Sequence, residues 1–355
     1  NVHILSRLLG PEGEAYAASV RERQHTLREE YVHSNEKRTY VPLADARAAR
    51  RVKQPGEVAE AAHTGRLVFP DFDIADAERF IDWNFFFPAW GIKGRWPELL
   101  DDPEKGAEAR KLYDDATALL ARIRDERLLT LQGVVGLFPA ASRGDDLVVR
   151  GPKGDVVLPM LRNQTPGDEH LSLADFLLPE RADATDFVVC FALSAGVGLK
   201  ELTEKFRSEG DDYAAILAKL LADRLTEAFA EALHRYARVT LWGYEREGQW
   251  SVGDLLAEKY QGIRPAFGYP SAPDHSLKAD VFALMDVGTV TGMTMTESYM
   301  IVPGEAACGL MLGHPEARNF SVGRIDSEQL ASYAARRGTD PEKMRVLIPQ
   351  HLIDM

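Results

Sequence analysis

The stretch 211–239 constrains the fold most. Tyr213, Ile216, Leu217, Leu220, Leu221, Leu225, Phe229 and Leu233 recur there at helical spacing. A helix this long with so broad an apolar stripe must lie against another layer. Phe187-Val188-Val189-Cys190-Phe191-Ala192 supplies a candidate, a run that reads as a buried strand. Further strands are expected at 132–139, 145–150, 156–158, 298–303, 307–312 and 319–325. Helices are expected at 104–127, where Ala107, Leu112, Ala116, Leu119, Leu120 and Ile123 share a face, and at 199–208, 277–287 and 327–337. Asp76 is expected to open a helix running through Phe80 into Ile81-Asp82-Trp83, and Asp340-Pro341 a short one. Strands and helices alternate without a regular βαβ beat, which predicts an α+β fold built on an antiparallel sheet.

Ahead of this lies a different region. Residues 11–34 are rich in Ala, Glu and Arg and read as a helix opened by Pro11, with few large apolar residues. Residues 35–58 are polar and carry Pro42 and Pro55, so 1–58 reads as a linker and leading strap. The start at Asn1 suggests a piece of a longer chain. Residues 1–53 sum to +3, although the whole chain carries −13. The basic residues Arg47, Arg50, Arg51 and Lys53 form a candidate docking patch for an acidic electron donor.

The acidic balance disfavours a nucleic-acid partner, which needs clustered Lys and Arg. No apolar run reaches the roughly 18–20 residues that span a bilayer, and Arg7 interrupts the apolar start. Cys190 and Cys308 form no CxxC pair, and the nine His residues show no zinc-site spacing, so no metal site is expected. P-loop and nucleophile-elbow patterns are absent. Ala195-Gly196-Val197-Gly198 lacks the third glycine of a dinucleotide fingerprint and reads as a strand-to-helix turn, and His314 before Pro315 reads as a turn residue.

One segment has the makings of a ligand loop. Tyr260-Gln261-Gly262-Ile263-Arg264-Pro265-Ala266-Phe267-Gly268-Tyr269-Pro270 holds two prolines and two glycines, which fix an irregular path exposing backbone N–H and C=O groups. Arg264 is a fork-shaped donor suited to a carboxylate. The plain alternative is a proline-rich connection.

The ordered motifs extend this reading. They are Ile81-Asp82-Trp83, Gly133-Val134-Val135-Gly136-Leu137-Phe138-Pro139-Ala140, Ala222-Asp223-Arg224-Leu225, Glu227-Ala228-Phe229-Ala230-Glu231 and Trp242-Gly243-Tyr244. The loop above follows, then Thr291-Gly292-Met293, Thr296-Glu297-Ser298, Pro303-Gly304 and His314-Pro315. In this order, from about residue 66 onward, the chain resembles the C-terminal activation (reactivation) domain of cobalamin-dependent methionine synthase.

That resemblance implies a single C-shaped α+β domain over 59–355, with a twisted antiparallel sheet flanked by helices. It implies a helical linker over 1–58 from a preceding cobalamin-binding domain. It implies cytoplasmic S-adenosylmethionine binding, with the methyl group used to remethylate cob(II)alamin held on that neighbouring domain or on another subunit. The electron comes from a flavodoxin-like or other flavin reductase, and the isolated chain does not make methionine. Carried over residue by residue, Arg264 pairs with the ligand carboxylate and Asp82 takes the ammonium. Ala266 and Gly268 hold the adenine edge through the backbone. Tyr269 lines the cobalamin side, and Glu227 and Glu258 stand near the sulfonium.

Asn319-Phe320 occupies the place of a ligand-contacting aromatic pair, with Asn as its first member. Phe267 replaces a proline often found there, with little effect expected on ligand contact. Against the catalytic reading stands a stand-alone S-adenosylmethionine-binding or sensing module. A conventional methyltransferase with its own acceptor is disfavoured by the lack of a glycine-rich loop after a first strand.

Overall fold

The computed structural model describes residues 2–11, 13–36, 39–181 and 183–352; Asn1 lies outside them. Its strands are β1 (Gly65–Phe72), β2 (Thr130–Arg143), β3 (Asp146–Gly151), β4 (Gly154–Pro159), β5 (Asp186–Val197), β6 (Thr294–Met295), β7 (Ile301–Val302) and β8 (Ala306–Met311). The order β4-β3-β2-β5-β8 is antiparallel throughout, and β1 pairs with β2 as well. β1 faces Leu131–Leu137 and β3 faces Ala140–Arg143, so the two share one edge of β2 in succession. β6 and β7 form a separate ribbon. The fold is therefore α+β with an open antiparallel sheet.

Alternation along β5 places the core. Val189, Phe191 and Leu193 join Leu131, Val135 and Leu137 on one face, packed against the Asp212–Tyr236 and Gly106–Asp125 helices. Val188, Cys190 and Ala192 join Val134 and Phe138 on the other face, against the Leu277–Met285 helix. Both faces are covered, which is why β5 reads as one continuous apolar run. A third cluster, including Leu330, Tyr333, Met344 and Ile348, seats the helices Ser327–Arg336 and Pro341–Leu347.

Three local expectations differ. The helix expected from Asp76 is Ile74–Glu78, capped one turn earlier by Asp73. It ends before Phe80, and Asp82 then caps the separate turn Trp83–Phe85. Residues 319–325 are irregular coil rather than a strand, tied by Val322 N–H to Pro270 O at 2.9 Å and by Asn163 Nδ2 to Ser321 O at 2.8 Å. β1 was not anticipated: it contains Pro70 and is mostly exposed, as suits an outer strand.

The leading region is helical at Val2–Leu9, Gly13–Glu36 and Leu43–Ala48. Of the basic residues singled out for docking, Lys53 is buried, and the other three are paired within the fold while keeping part of their surface exposed. Arg47 donates to Asp145 at 2.6 Å, and Asp145 also receives the fully buried Arg162, whose other carboxylate partner is Asp175. Lys53 is buried at 2.9 Å from Asp186. Arg50 donates to Gly144 O at 3.4 Å, and Arg51 pairs with Glu57 and Glu316. These contacts hold 47–57 against the sheet-bearing body.

Candidate functional site

The ligand loop is fastened to the sheet edge by main chain. Ile263 and Leu312 exchange N–H···O bonds of 3.0 Å, Leu310 N–H donates to Pro265 O at 2.9 Å, and Phe267 N–H donates to Cys308 O at 2.9 Å. The path Ile263–Phe267 thus runs beside β8 as an irregular strand, with Pro265 contributing only its carbonyl. Gly309 makes the approach possible: a Cβ there would stand 2.2 Å from Pro265 O. Beyond it the chain turns at Gly268, with φ +101°, and Gly268 N–H donates to Ala272 O at 2.8 Å. This turn presents Tyr269, 56% exposed, to solvent.

Two adjoining cavities open beside the loop, of about 470 Å³ and about 380 Å³. Glu227, Glu258, Arg264 and Tyr269 line both and form their junction. The larger chamber adds Ala266, Asn319 and Phe320, and the smaller adds Asp82, Arg224 and Glu231. All the residues singled out from sequence therefore meet here, except that Gly268 shapes the turn behind the wall. Four carboxylates and two guanidiniums line the smaller chamber, an excess of negative charge suited to a cationic guest.

Each side chain has a local reason for its position. Glu227 and Glu231 lie one turn apart on the Asp212–Tyr236 helix, so both point to the same side. Tyr269 hydroxyl donates to Glu227 Oε1 at 3.3 Å, and the adjacent carboxylate raises the phenol pKa. Glu258 adopts a left-handed backbone, φ +52°, and accepts from Asn319 Nδ2 at 3.0 Å. Asn319 thus fixes an acid at the junction. Asp82 Oδ1 accepts from Asn84 N–H and Asn84 Nδ2, both at 2.9 Å, so it caps a turn and lines the chamber at once.

Arg264 is not a loose arm. Its Nη1 donates to Glu231 Oε2 at 2.8 Å and lies 3.2 Å from His234 Nδ1. Glu231 also accepts from Tyr260 hydroxyl at 3.1 Å and lies 3.5 Å from Arg238 Nη2. Arg238 is fully buried, bonded to Glu245 at 2.8 Å, with its guanidinium 3.6 Å from the Tyr260 ring centre. It sits where the long helix widens into a π-helix, Ala237–Trp242, a local form common near functional sites. Burial and the two neighbouring guanidiniums hold the His234 pKa well below its usual value, so the ring is neutral and Nδ1 accepts from Arg264.

Glu231, His234 and Arg238 had no role in the sequence reading. The available signal was polar residues at spacings of three and four on an otherwise apolar helix. Elsewhere the plain readings hold. Ala195–Gly198 turns β5 into the Leu199–Ser208 helix, and His314 Nδ1 accepts from Glu316 N–H at 2.9 Å in a turn. Among the described residues no His, Cys, Asp or Glu group is arranged to hold a metal ion, and no helix is long and apolar enough to cross a membrane.

Residues 73–338 match the family described as vitamin B12 dependent methionine synthase, activation domain. The fold is also similar to the crystal structure of the MetH reactivation domain bound to AdoHcy, at 35% identity and a TM-score of 0.84. That match covers 88% of this chain and 98% of the other.

Proposed function

The chain belongs to the family of vitamin B12-dependent methionine synthase activation domains, and from that premise we propose that its cleft binds S-adenosylmethionine for cobalamin remethylation. One observation carries the reading: two chambers meet at Glu227, Glu258, Arg264 and Tyr269. A nucleoside joined through a sulfonium to an amino acid has the same two-part plan. The larger chamber takes the adenosyl part, with Ala266 main chain and Asn319-Phe320 as its walls. The smaller chamber takes the amino-acid part, with Asp82 on the ammonium and Arg264 on the carboxylate.

Bound there, S-adenosylmethionine supplies an electrophilic methyl group on a positively charged sulfur. Glu227 and Glu258, at the junction, stabilise that charge and orient the sulfur. Glu231 holds Arg264 at a fixed angle, so the carboxylate meets a pre-set donor. Tyr269, exposed at the rim, faces the cobalamin carried by a neighbouring domain or subunit. In the overall exchange, cob(II)alamin, one electron from a flavin protein and the sulfonium methyl become methylcobalamin and S-adenosylhomocysteine.

Calorimetric titration of the chain with S-adenosylmethionine tests the binding step. Saturable binding by the wild type, weakened in Arg264→Ala, supports it. A folded wild type that does not bind sinks it. Methylcobalamin formation on adding a cobalamin domain and a reductant tests the transfer, and binding without it would leave a sensing module.

A further inference from the structure

Behind the Gly268–Tyr269 turn lies a buried amine with no role in the cleft as described. Lys278, in the first turn of the Leu277–Met285 helix, is 6% exposed. Its Nζ stands 2.8 Å from His275 Nδ1 and 3.3 Å from Tyr299 O. Both partners are acceptors, so an ammonium donates to each, and the imidazole is left neutral with its proton on Nε2. His275 in turn packs against the ligand loop: a Cβ at Gly268 would stand 2.1 Å from its Cε1 and 2.6 Å from its Nε2. The next residue, Tyr269, reaches Glu227 at the chamber junction.

We propose that Lys278 is a positioning residue for the ligand cleft: by holding His275 in one tautomer and one orientation against Gly268, it sets the turn that carries Tyr269. Three features support this. Gly268 has φ +101° and no room for a side chain on the His275 side, so ring and turn move together. No carboxylate lies within ion-pair distance of Lys278 among the described residues, so its burial is maintained by these two acceptors. The charged and titratable groups around the pair are limited: Asp274 beside His275, and Cys308 beside Lys278. Asp274 is itself engaged by Tyr333 hydroxyl at 2.8 Å and lies 3.8 Å from Arg337. Burial and Lys278 together hold the His275 pKa down. Burial lowers the Lys278 pKa as well.

The proposal rests on the S-adenosylmethionine reading for its ligand, and a ligand-free measurement separates the two. The full chain, Lys278→Met and Lys278→Arg are titrated with S-adenosylmethionine between pH 5.5 and 8, after thermal melts confirm folding. Lys278→Met is expected to bind about threefold to tenfold more weakly at its best pH, a shift of about 1 kcal/mol. It should weaken further as pH falls through about 6.5, the ordinary histidine range. Lys278→Arg, which keeps a charged donor, should recover most of the affinity. NMR titration of the His275 ring without ligand should show its pKa rising in Lys278→Met. Should that variant not fold, Lys278→Gln supplies the same comparison. Unchanged affinity and an unchanged His275 titration overturn the proposal. If the wild type binds no S-adenosylmethionine, the ligand reading fails and the His275 titration alone decides the role of Lys278.

Discussion

Arg264 Nη1 and Glu231 Oε2 are 2.8 Å apart, and this contact joins the cleft wall to the buried hub of Tyr260, Arg238 and Glu245. The hub's donors outnumber its charges: Arg238 Nη1 and His234 Nε2 are buried without a hydrogen-bond partner. Glu231 thus faces both the buried Arg238 and the part-buried Arg264. Removing its charge leaves Arg264 without its bonded carboxylate, while Arg238 keeps Glu245 at 2.8 Å. Glu231→Gln should cost about 3–5 kcal/mol of stability, the range for breaking a buried ion pair. Urea denaturation measures it, and a loss below about 1 kcal/mol would mean that Glu245 alone balances Arg238.

Arg264 itself should matter more for binding than for folding. Arg264→Ala is expected to weaken S-adenosylmethionine binding by about 1.5–3 kcal/mol, the range for a hydrogen bond to a charged group. Arg264→Lys should recover little of this, because an ammonium cannot present the same planar fork. Calorimetry on folded variants gives both numbers.

Charge at the junction predicts a preference between related ligands. S-adenosylmethionine carries a sulfonium where S-adenosylhomocysteine has neutral sulfur. Glu227→Gln should narrow the preference for the former by about fivefold, near 1 kcal/mol for a partly exposed charge pair. It should also lower the Tyr269 pKa, since the Glu227 carboxylate is the largest cause of its elevation. Competition binding reads the first effect and ultraviolet titration of the phenol the second.

Stability should depend on pH through His234. Its folded pKa lies well below the unfolded value of about 6.5. Between those values the unfolded chain binds the proton and the folded chain does not, so stability is complete above about pH 6.5 and falls as pH drops below it. The slope is at most about 1.4 kcal/mol per pH unit for one such group. His275 and His314 are shifted the same way by burial and nearby cations and add to it. Urea titrations between pH 5 and 8 should show this slope, and His314→Gln should reduce it.

The close approach at Gly309 is a backbone requirement. Gly309→Ala puts a methyl group onto Pro265 O, and the ligand loop must leave the β8 edge or strain it. A loss of about 1–3 kcal/mol is expected from overpacking alone, with binding reduced as well. A variant that keeps wild-type stability and affinity would show that the loop is not held there.

What the sequence made legible was the outer layer of this site. Arg264 and Tyr269 stand in a loop of unusual local composition, the family resemblance supplied Asp82, Glu227, Glu258 and Asn319, and all six line the chambers. Glu231, His234 and Arg238 sit inside an amphipathic helix, where one-dimensional spacing cannot separate a buried polar hub from a solvated stripe. The sheet was legible where strands are buried on both faces, as in β5. It failed at β1, which Pro70 and exposure disguise, and at 319–325, where a period-two pattern belongs to a cleft wall. Within the basic strap one residue was misplaced: charge counts cannot tell an exposed lysine from Lys53, whose counter-ion Asp186 lies far along the chain.

Phe267 carries a consequence of its own. Its N–H bonds to Cys308 O at 2.9 Å, a link that a proline at this position is unable to make. The loop is therefore stitched to the sheet on both sides of Ala266 by main-chain groups, and of the substitutions at 267 a proline is the one that removes its donor. Order in the loop is secured when the sheet forms, so a ligand arriving at the cleft meets a wall already set. The acids around it are then free to tune charge without the wall giving way.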